Sequence, residues 1–354
     1  MTSGNRREHG GGLDQAAARY GIPRKQWIDL STGINPACYP LPALPPEAWH
    51  RLPDAALDEA LRAAAASYYG VADAGLVAPA PGSQSLIQWL PRLEAPARVA
   101  VIGPTYNEHA PAWAAAGHVV SEIDDIDAIH VDADILVVVN PNNPDGRIVE
   151  PRRLLELTER ALVVVDEAFA DVAPAVSAAP WVGRQNLVVL RSIGKFFGLA
   201  GLRLGFALTQ RERALALAAA LGPWSVSGPA MAIGRAALAD DRWIAAMRAQ
   251  LAHAAARLDR LLVLAGLEII GGTSLFRLIR HADADALFEW LAQAGILTRR
   301  FIARRRWLRI GLPGEETEWA RLATALAEWQ AERTRQADRD CPGPPIAEGG
   351  IRPG

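Results

Sequence analysis

One lysine stands apart from the other charged residues of this chain. Lys195 lies in the segment Arg-Ser-Ile-Gly-Lys-Phe-Phe-Gly, with Ser192 three residues before it and Arg203 eight residues after it. Lys25 is the only other lysine, and arginine keeps its proton, so it cannot replace lysine as an amine nucleophile. A lysine that burial keeps partly neutral can form a Schiff base, and a nearby hydroxyl and guanidinium can bind phosphate. The segment therefore predicts a covalent bond to a phosphorylated aldehyde. The alternative is an ordinary lysine buried beside a glycine turn.

Two further polar residues follow predicted buried strands. Asp166 comes directly after the run of valines at 163–165, and Asn143 lies in Asn-Pro-Asn-Asn-Pro-Asp-Gly after the apolar run 135–139. In an open parallel sheet, ligands bind beyond the carboxyl ends of the strands. A carboxylate there could keep a ring nitrogen protonated, and an amide could bind a ring oxygen. The alternative interpretations are a structural cap for Asp166 and a plain Asx/Pro turn for Asn143.

Two candidates for phosphate and ring binding lie earlier in the chain. Gly82, Ser83 and Gln84 precede a predicted helix, where backbone N–H groups and the helix dipole favour a phosphate. An ordinary helix N-cap is about equally compatible with this tripeptide. Tyr106 follows Gly-Pro-Thr and could stack on a flat ring, although most tyrosines of this kind are simply packed.

The order of these signals resembles the fold type I pyridoxal-phosphate enzymes, in particular the class I/II aminotransferase group, over about residues 25–330. The resemblance implies pyridoxal 5'-phosphate as the cofactor and Lys195 as the catalytic residue that binds its aldehyde. It implies that Asp166 pairs with the ring nitrogen, Asn143 with the ring oxygen, and that Tyr106 stacks on the ring. The phosphate ligands would be Gly82, Ser83, Gln84, Ser192 and Arg203.

Two segments in the arm and one near the end of the chain indicate which group within this family the sequence resembles most. His-Gly-Gly at 9–11, Asp-Leu-Ser-Thr-Gly-Ile-Asn-Pro at 29–36 and Leu-Arg-Ile-Gly-Leu-Pro-Gly at 308–314 look like the threonine-phosphate decarboxylases of cobalamin biosynthesis. The implied reaction converts L-threonine O-3-phosphate to (R)-1-amino-2-propanol O-2-phosphate and carbon dioxide. Arg309 would bind the substrate carboxylate, and Arg299, with help from the arm, the substrate phosphate. The implied substrate residues are His9, Gly10, Asn35, Arg299 and Arg309.

An aminotransferase that acts on histidinol phosphate or a similar phosphorylated amino compound is the alternative. Phe169 stands where many aminotransferases have a tyrosine that binds the ring oxygen, which weakens that alternative. Leu52 stands where many relatives have a tyrosine that reaches the neighbouring subunit's cofactor. One contact between subunits is therefore in doubt, but the group's active-site construction still favours a homodimer. A regulatory, non-enzymatic relative would normally carry a DNA-binding module, and residues 1–45 are too short and too poor in clustered positive charge for one.

The elements that must position these residues indicate an α/β protein. Strands and helices alternate through residues 46–240, which predicts a large cofactor-binding domain with a mostly parallel sheet. Residues 241–335 predict a smaller α+β domain. Residues 1–45 are rich in glycine and proline and predict an irregular N-terminal arm that belongs to the small domain. Residues 336–354 predict a disordered tail, and the resemblance implies the fold of type I aminotransferases.

Composition excludes several other classes of protein. Half of the 354 residues are hydrophobic and the formal net charge is −2, which argues against a nucleic-acid partner. Cys38 and Cys341 lie far apart, and the histidines lack metal-binding spacing, so neither a disulfide nor a metal site is expected. No signal peptide and no apolar run long enough for a membrane span are seen, which predicts a cytoplasmic protein without a membrane partner.

Overall fold

The structure, a computed structural model, describes residues 9–126, 133–183 and 186–340. The strands in this part of the chain are β1 (Ile28–Asp29), β2 (Val77–Ala80), β3 (Arg98–Ile102), β4 (Val119–Ile123), β5 (Ile135–Val139), β6 (Leu162–Asp166), β7 (Leu187–Ser192), β8 (Gly205–Leu208), β9 (Glu268–Thr273), β10 (Phe276–Arg280), β11 (Ile296–Leu297), β12 (Arg299–Arg300) and β13 (Trp307–Gly311). The helices are α1 (Leu13–Tyr20), α2 (Glu47–His50), α3 (Ala55–Tyr69), α4 (Ser83–Leu93), α5 (His109–Ala115), α6 (Pro151–Leu157), α7 (Arg211–Leu221), α8 (Gly228–Leu238), α9 (Asp241–Leu264), α10 (Ala284–Gln293) and α11 (Glu316–Asp340).

A seven-stranded, mostly parallel sheet forms the centre of the protein. Its strand order is β2-β8-β7-β6-β5-β3-β4, and only β8 runs antiparallel to its neighbours. The valines of β6 explain why this strand is buried on both faces. Val163 and Val165 point into one hydrophobic core and Val164 into a second core on the opposite face. Continuous apolar runs of this kind are typical of strands that helices cover on both sides. The predicted sheet is therefore confirmed.

A separate antiparallel sheet, with strand order β12-β13-β10-β9, lies in the C-terminal region together with α9, α10 and α11. This confirms the predicted α+β unit. The arm joins it, because β1 pairs in parallel with β11 and Arg19 of α1 binds Glu289 of α10 at 2.7 Å. The domain limits at residues 45, 240 and 335 stay a proposal. No helix in the described ranges is both long enough and apolar enough to cross a membrane.

Two local predictions need correction. The arm is not irregular throughout, because α1 occupies residues 13–20. Leu13, Ala16, Ala17 and Tyr20 recur at helical spacing and pack against the core. At the other end, the sequence predicts a disordered tail that begins at residue 336. Helix α11 instead continues to residue 340, where ion pairs of Glu332 with residues 335 and 339 support its last turns. Residues 341–354 of the predicted tail lie outside the described residues.

Candidate active site

A cavity of about 460 Å³ opens at the carboxyl ends of β5, β6 and β7. Strand ends at one edge of a parallel sheet meet there, which brings together residues far apart in sequence. Gly82 adjoins this cavity as the neighbour of Ser83. The predicted residues that line it are His9, Ser83, Gln84, Tyr106, Asn143, Asp166, Ser192, Lys195 and Arg203.

Lys195 follows β7 in a tight loop. Its carbonyl oxygen accepts hydrogen bonds from the backbone N–H groups of Asn35 at 3.0 Å and Gly198 at 3.2 Å. Its Nζ lies 5.5 Å from the centre of the Phe169 ring. Burial, with a smaller contribution from Arg309, lowers the pKa of Lys195 to about 8. A larger fraction of the amine is therefore neutral near pH 7 than in a free lysine, as a nucleophile requires.

The lowered pKa of Lys195 predicts a specific pH dependence of the free energy of unfolding. The group titrates near 8 in the folded protein, against 10.5 for an ordinary lysine. Between these two values the unfolded chain binds more protons, so the contribution of Lys195 to stability rises with pH. Below about pH 8 both states are protonated, and the buried charge destabilises the fold. We expect the wild-type apoprotein to gain stability relative to Lys195→Met when denaturant unfolding is compared at about pH 7 and about pH 9.5. A constant difference would contradict the lowered pKa.

Asp166 is buried at the end of β6 and held by two contacts. Its Oδ1 accepts a hydrogen bond from the backbone N–H of Ala168 at 3.0 Å, and its Oδ2 lies 2.9 Å from Nε2 of His109. His109 is itself buried in α5. Sequence reasoning missed this histidine. Its spacing of three residues from Tyr106, at the start of a helix, was the available signal. We propose that His109 orients the Asp166 carboxylate.

The segment at Gly82 forms a cradle suited to a phosphate. Gly82 has a φ of +84°, and a Cβ atom there would lie 2.5 Å from Nη2 of Arg203. A larger residue would therefore displace the guanidinium. Gly82 also offers no side-chain acceptor to the first N–H groups of α4, which begins at Ser83. These amides, the Arg203 guanidinium and the Ser192 hydroxyl line the same end of the site, where they could bind one phosphate group.

A neighbouring part of the cavity wall carries Tyr106. Its hydroxyl donates a hydrogen bond to Oε1 of Gln84 at 3.1 Å. Burial, followed by the charges of Asp166 and Glu108, raises the pKa of Tyr106 to about 12. The phenol is therefore neutral at physiological pH, and its ring presents a flat face beside the cavity that contains Lys195.

Arg299 and Arg309 lie directly opposite each other on the antiparallel strands β12 and β13. Such cross-strand partners project from the same face of a sheet, about 5 Å apart at Cβ, and like charges there repel. Arg309 is buried and donates to Oδ1 of Asn143 at 2.6 Å and to the carbonyl oxygen of Ser31 at 2.7 Å. Both acceptors are neutral. Burial and the nearby Arg299 lower the pKa of Arg309. This pair is therefore suited to an anionic ligand.

The remaining predicted substrate residues are placed differently. Asn35 is buried, and its amide binds backbone groups, donating to the carbonyl of Phe196 at 2.8 Å and accepting from the N–H of Ala37 at 2.9 Å. These contacts tie the arm to the loop that carries Lys195. Gly10 lies against the backbone of Ser31, where a Cβ atom would approach the carbonyl oxygen to 2.4 Å. We propose that both residues hold the arm in place and that His9 is its contact with the substrate.

A buried charge network supports the strand ends behind the site. Arg191, the residue before Ser192, binds Glu167 at 2.6 Å, and Glu167 is the residue after Asp166. The same guanidinium also binds Asp171 and lies 4.4 Å from the centre of the Tyr69 ring. The network therefore links the ends of β6 and β7 directly beside Asp166 and Ser192, two of the predicted cofactor residues.

The residues present fit pyridoxal 5'-phosphate. The cradle at Gly82, which a Cβ atom would fill, suits the phosphate, and the buried Asp166 suits a protonated ring nitrogen. Lys195, with its lowered pKa, suits the aldehyde. The oxygen of Asn143 accepts from Arg309, which leaves its NH₂ group to donate to a ring oxygen.

Comparison with known proteins defines the class. The family model for aminotransferase class I and II matches residues 29–326, and the chain belongs to this family. Membership confirms the predicted cofactor. The chain is 48% identical over 330 residues to a threonine-phosphate decarboxylase from a Sinorhizobium species, with 91% of this chain and 98% of that protein covered. It is likewise 48% identical over 326 residues to the threonine-phosphate decarboxylase of Pseudomonas aeruginosa, with 90% and 97% covered. Among solved structures, histidinol-phosphate aminotransferase from Sinorhizobium meliloti, in complex with pyridoxal-5'-phosphate, has a TM-score of 0.76 at 22% identity, with 91% and 95% covered. That likeness shows the fold.

Proposed function

We propose that the protein decarboxylates L-threonine O-3-phosphate to (R)-1-amino-2-propanol O-2-phosphate and carbon dioxide, which is the reaction expected for the aminopropanol arm of cobalamin biosynthesis. The observation that carries this proposal is the pair Arg299 and Arg309, opposed on neighbouring strands, of which Arg309 donates to the predicted cofactor residue Asn143. Threonine phosphate carries two anions, a carboxylate and a phosphate, and guanidinium groups bind both in bidentate geometry. The 48% identity to two threonine-phosphate decarboxylases supports the same substrate.

Each residue has a proposed part in the reaction. Pyridoxal phosphate, when bound, supplies an electron-accepting ring to the amino group and Cα of the substrate. Asp166, oriented by His109, would hold the proton on the ring nitrogen. Arg309 would bind the carboxylate and Arg299, with His9, the phosphate. Together they would orient the bond from Cα to the carboxylate perpendicular to the ring, so that this bond breaks. Nζ of Lys195 would then deliver a proton to Cα.

A direct assay separates this proposal from the alternative aminotransferase. The purified enzyme with threonine phosphate is expected to release carbon dioxide without any 2-oxo acid. If turnover requires 2-oxoglutarate and glutamate accumulates, the protein is an aminotransferase. The buried Phe169, which lacks a hydroxyl, lies beside Lys195 and weakens the case for a typical aminotransferase.

Arg309 provides a test of the anion site. We expect Arg309→Lys to raise KM for threonine phosphate and to lower kcat/KM about 100-fold, because lysine keeps the charge but cannot contact Asn143, Ser31 and a carboxylate together. Steady-state kinetics with the purified variant measure both values. A variant with wild-type kcat/KM would show that the carboxylate binds elsewhere.

We also propose a cytoplasmic homodimer. Trp49, Leu52 and Trp224 are exposed by 68%, 65% and 58%, and large apolar side chains that form one exposed patch mark a protein–protein interface. A Cβ atom at Gly228 of α8 would lie 2.9 Å from the carbonyl oxygen of Ala48 of α2, so Trp49 lies near the start of α8. Light scattering should give twice the mass of the chain, and Trp224→Glu should shift it towards the monomer. Cys38 is a free thiol, which is compatible with a reducing compartment.

A further inference from the structure

Glu108 lies on the wall of the active-site cavity and is not one of the residues that the sequence predicted. It directly precedes α5 and is 8% exposed. Its Oε1 lies 3.0 Å from Nε2 of His9, a residue of the arm. Its Oε2 accepts a hydrogen bond from Nε2 of Gln84 at 3.4 Å. The carboxylate therefore contacts both the arm and the segment that cradles the phosphate of the cofactor.

His9 lies at the junction of two cavities. It lines the cavity that contains Lys195, and it also lines a neighbouring cavity of about 410 Å³ to which Arg299 and Arg300 contribute. The histidine side chain is 44% exposed, so packing alone holds it weakly. An exposed side chain loses rotamer freedom when it is fixed in one place, and a charge-assisted hydrogen bond can offset that cost. The contact with Glu108 provides such a bond.

The charge of Glu108 limits what it can do. A carboxylate in a cavity that receives a carboxylate and a phosphate repels the substrate, so it is poorly suited to be a substrate ligand itself. Paired with the His9 imidazole, the carboxylate instead orders a group that can donate to an anion. Where His9 lines the second cavity, it shares that cavity with Arg299.

We propose that Glu108 is a positioning residue that fixes His9 between the two cavities, so that the imidazole meets the substrate phosphate beside Arg299. The proposal rests on the proposed function in one respect, because it takes the substrate to be a phosphorylated amino acid. In this role Glu108 raises the specificity of the enzyme for the phosphate group of the substrate without contacting the substrate.

A double-mutant cycle over Glu108→Ala and His9→Ala tests this inference in the holoenzyme. We expect each single variant to lower kcat/KM for threonine phosphate about 10-fold, mainly through KM, because one charge-assisted contact is lost in each. In the double variant, kcat/KM should equal that of His9→Ala, since Glu108 acts only through the histidine. Additive losses would overturn the proposal, because Glu108 would then act through Gln84 and Tyr106.

Three controls make the cycle decisive. The same cycle with Glu108→Gln, which keeps the volume of the side chain, should show the same lack of additivity, and additivity there would also count against the proposal. Unphosphorylated threonine should be affected far less than threonine phosphate by either single variant. Glu156→Ala changes an exposed acid on α6 and should leave kcat/KM unchanged.

A binding measurement separates failure of this inference from failure of the proposed function. Calorimetric titration of the holoenzyme with inorganic phosphate needs no turnover. Glu108→Ala should weaken phosphate binding about 10-fold in the wild-type background and leave it unchanged in the His9→Ala background. If the wild-type enzyme releases no carbon dioxide from threonine phosphate, the proposed reaction is wrong, and the phosphate titration still decides whether Glu108 positions His9.

Discussion

Lys195→Ala is expected to reduce kcat by at least about 10⁴-fold and to abolish the visible absorbance band of the covalent bond between Lys195 and the cofactor. The substitution would remove the proposed amine nucleophile, which is also the group proposed to return a proton to Cα. The arginines beside it cannot replace it, because a delocalised guanidinium does not act as an amine nucleophile. Carbon dioxide release from threonine phosphate and an absorbance spectrum of the purified variant measure the two effects.

The chain provides a matched control for this experiment. Lys25 is the only other lysine and is exposed in the arm, so Lys25→Ala should have wild-type activity and a wild-type spectrum. A Lys195→Ala protein that keeps the visible band, or that turns over at the wild-type rate, would show that the cofactor is bound through another group. Circular dichroism of both variants checks that the fold is retained.

The central sheet could be predicted because its strands are buried on both faces. The valines at 163–165 and the apolar run at 135–139 have no polar interruption, and the structure places β5 and β6 there. Each core needs an apolar side chain at every second position of the strand. Because the two cores lie on opposite faces, every position of the strand is apolar. Strands at the edge leave a weaker signal. Val119, Ser121 and Glu122 of β4 are exposed, and their sequence does not distinguish a strand from a loop.

The arm shows a different limit of sequence reasoning. Many glycines and prolines lie before and after α1, and this composition predicts an irregular segment throughout. The helix itself is short, and it becomes stable by packing Ala16 and Tyr20 against the C-terminal region, with Tyr20 donating to Glu289 at 2.6 Å. A contact between residues 269 positions apart cannot be inferred from local spacing.

The candidate site was predictable where its residues end strands or begin helices. Asp166 and Ser192 end β6 and β7, and Ser83 begins α4, so the topology brings them to one cavity. His109 and Glu108 were missed because a lone histidine or glutamate has no periodic signal. Their importance comes from partners that lie far away in sequence, at Asp166 and at His9.

The second large effect is expected when the cation of the buried network behind the site, Arg191, is removed. Two carboxylates then stay buried without their cationic partner. Arg191 is 3% exposed, and its partners Glu167 and Asp171 are fully buried. Glu167 also accepts from the hydroxyl of Ser177 at 2.5 Å and from the backbone N–H of Ala178 at 2.6 Å. These contacts fix Glu167 in place, so it cannot turn towards water when its cationic partner is lost.

Arg191→Met should therefore lower the free energy of unfolding by about 3–5 kcal/mol, the usual cost of breaking a buried ion pair from one side. Because the network links β6 to β7, the variant should also bind pyridoxal phosphate more weakly, which a titration of the apoprotein measures. Denaturant unfolding gives the stability.

Arg280→Met breaks the exposed pair of Arg280 with Glu268 and should stay close to wild type in both measurements. The double variant Glu167→Gln/Arg191→Met should recover part of the lost stability, because it leaves one buried carboxylate without a cation in place of two. If Arg191→Met unfolds at the same denaturant concentration as Arg280→Met, the buried network does not hold the two strand ends together.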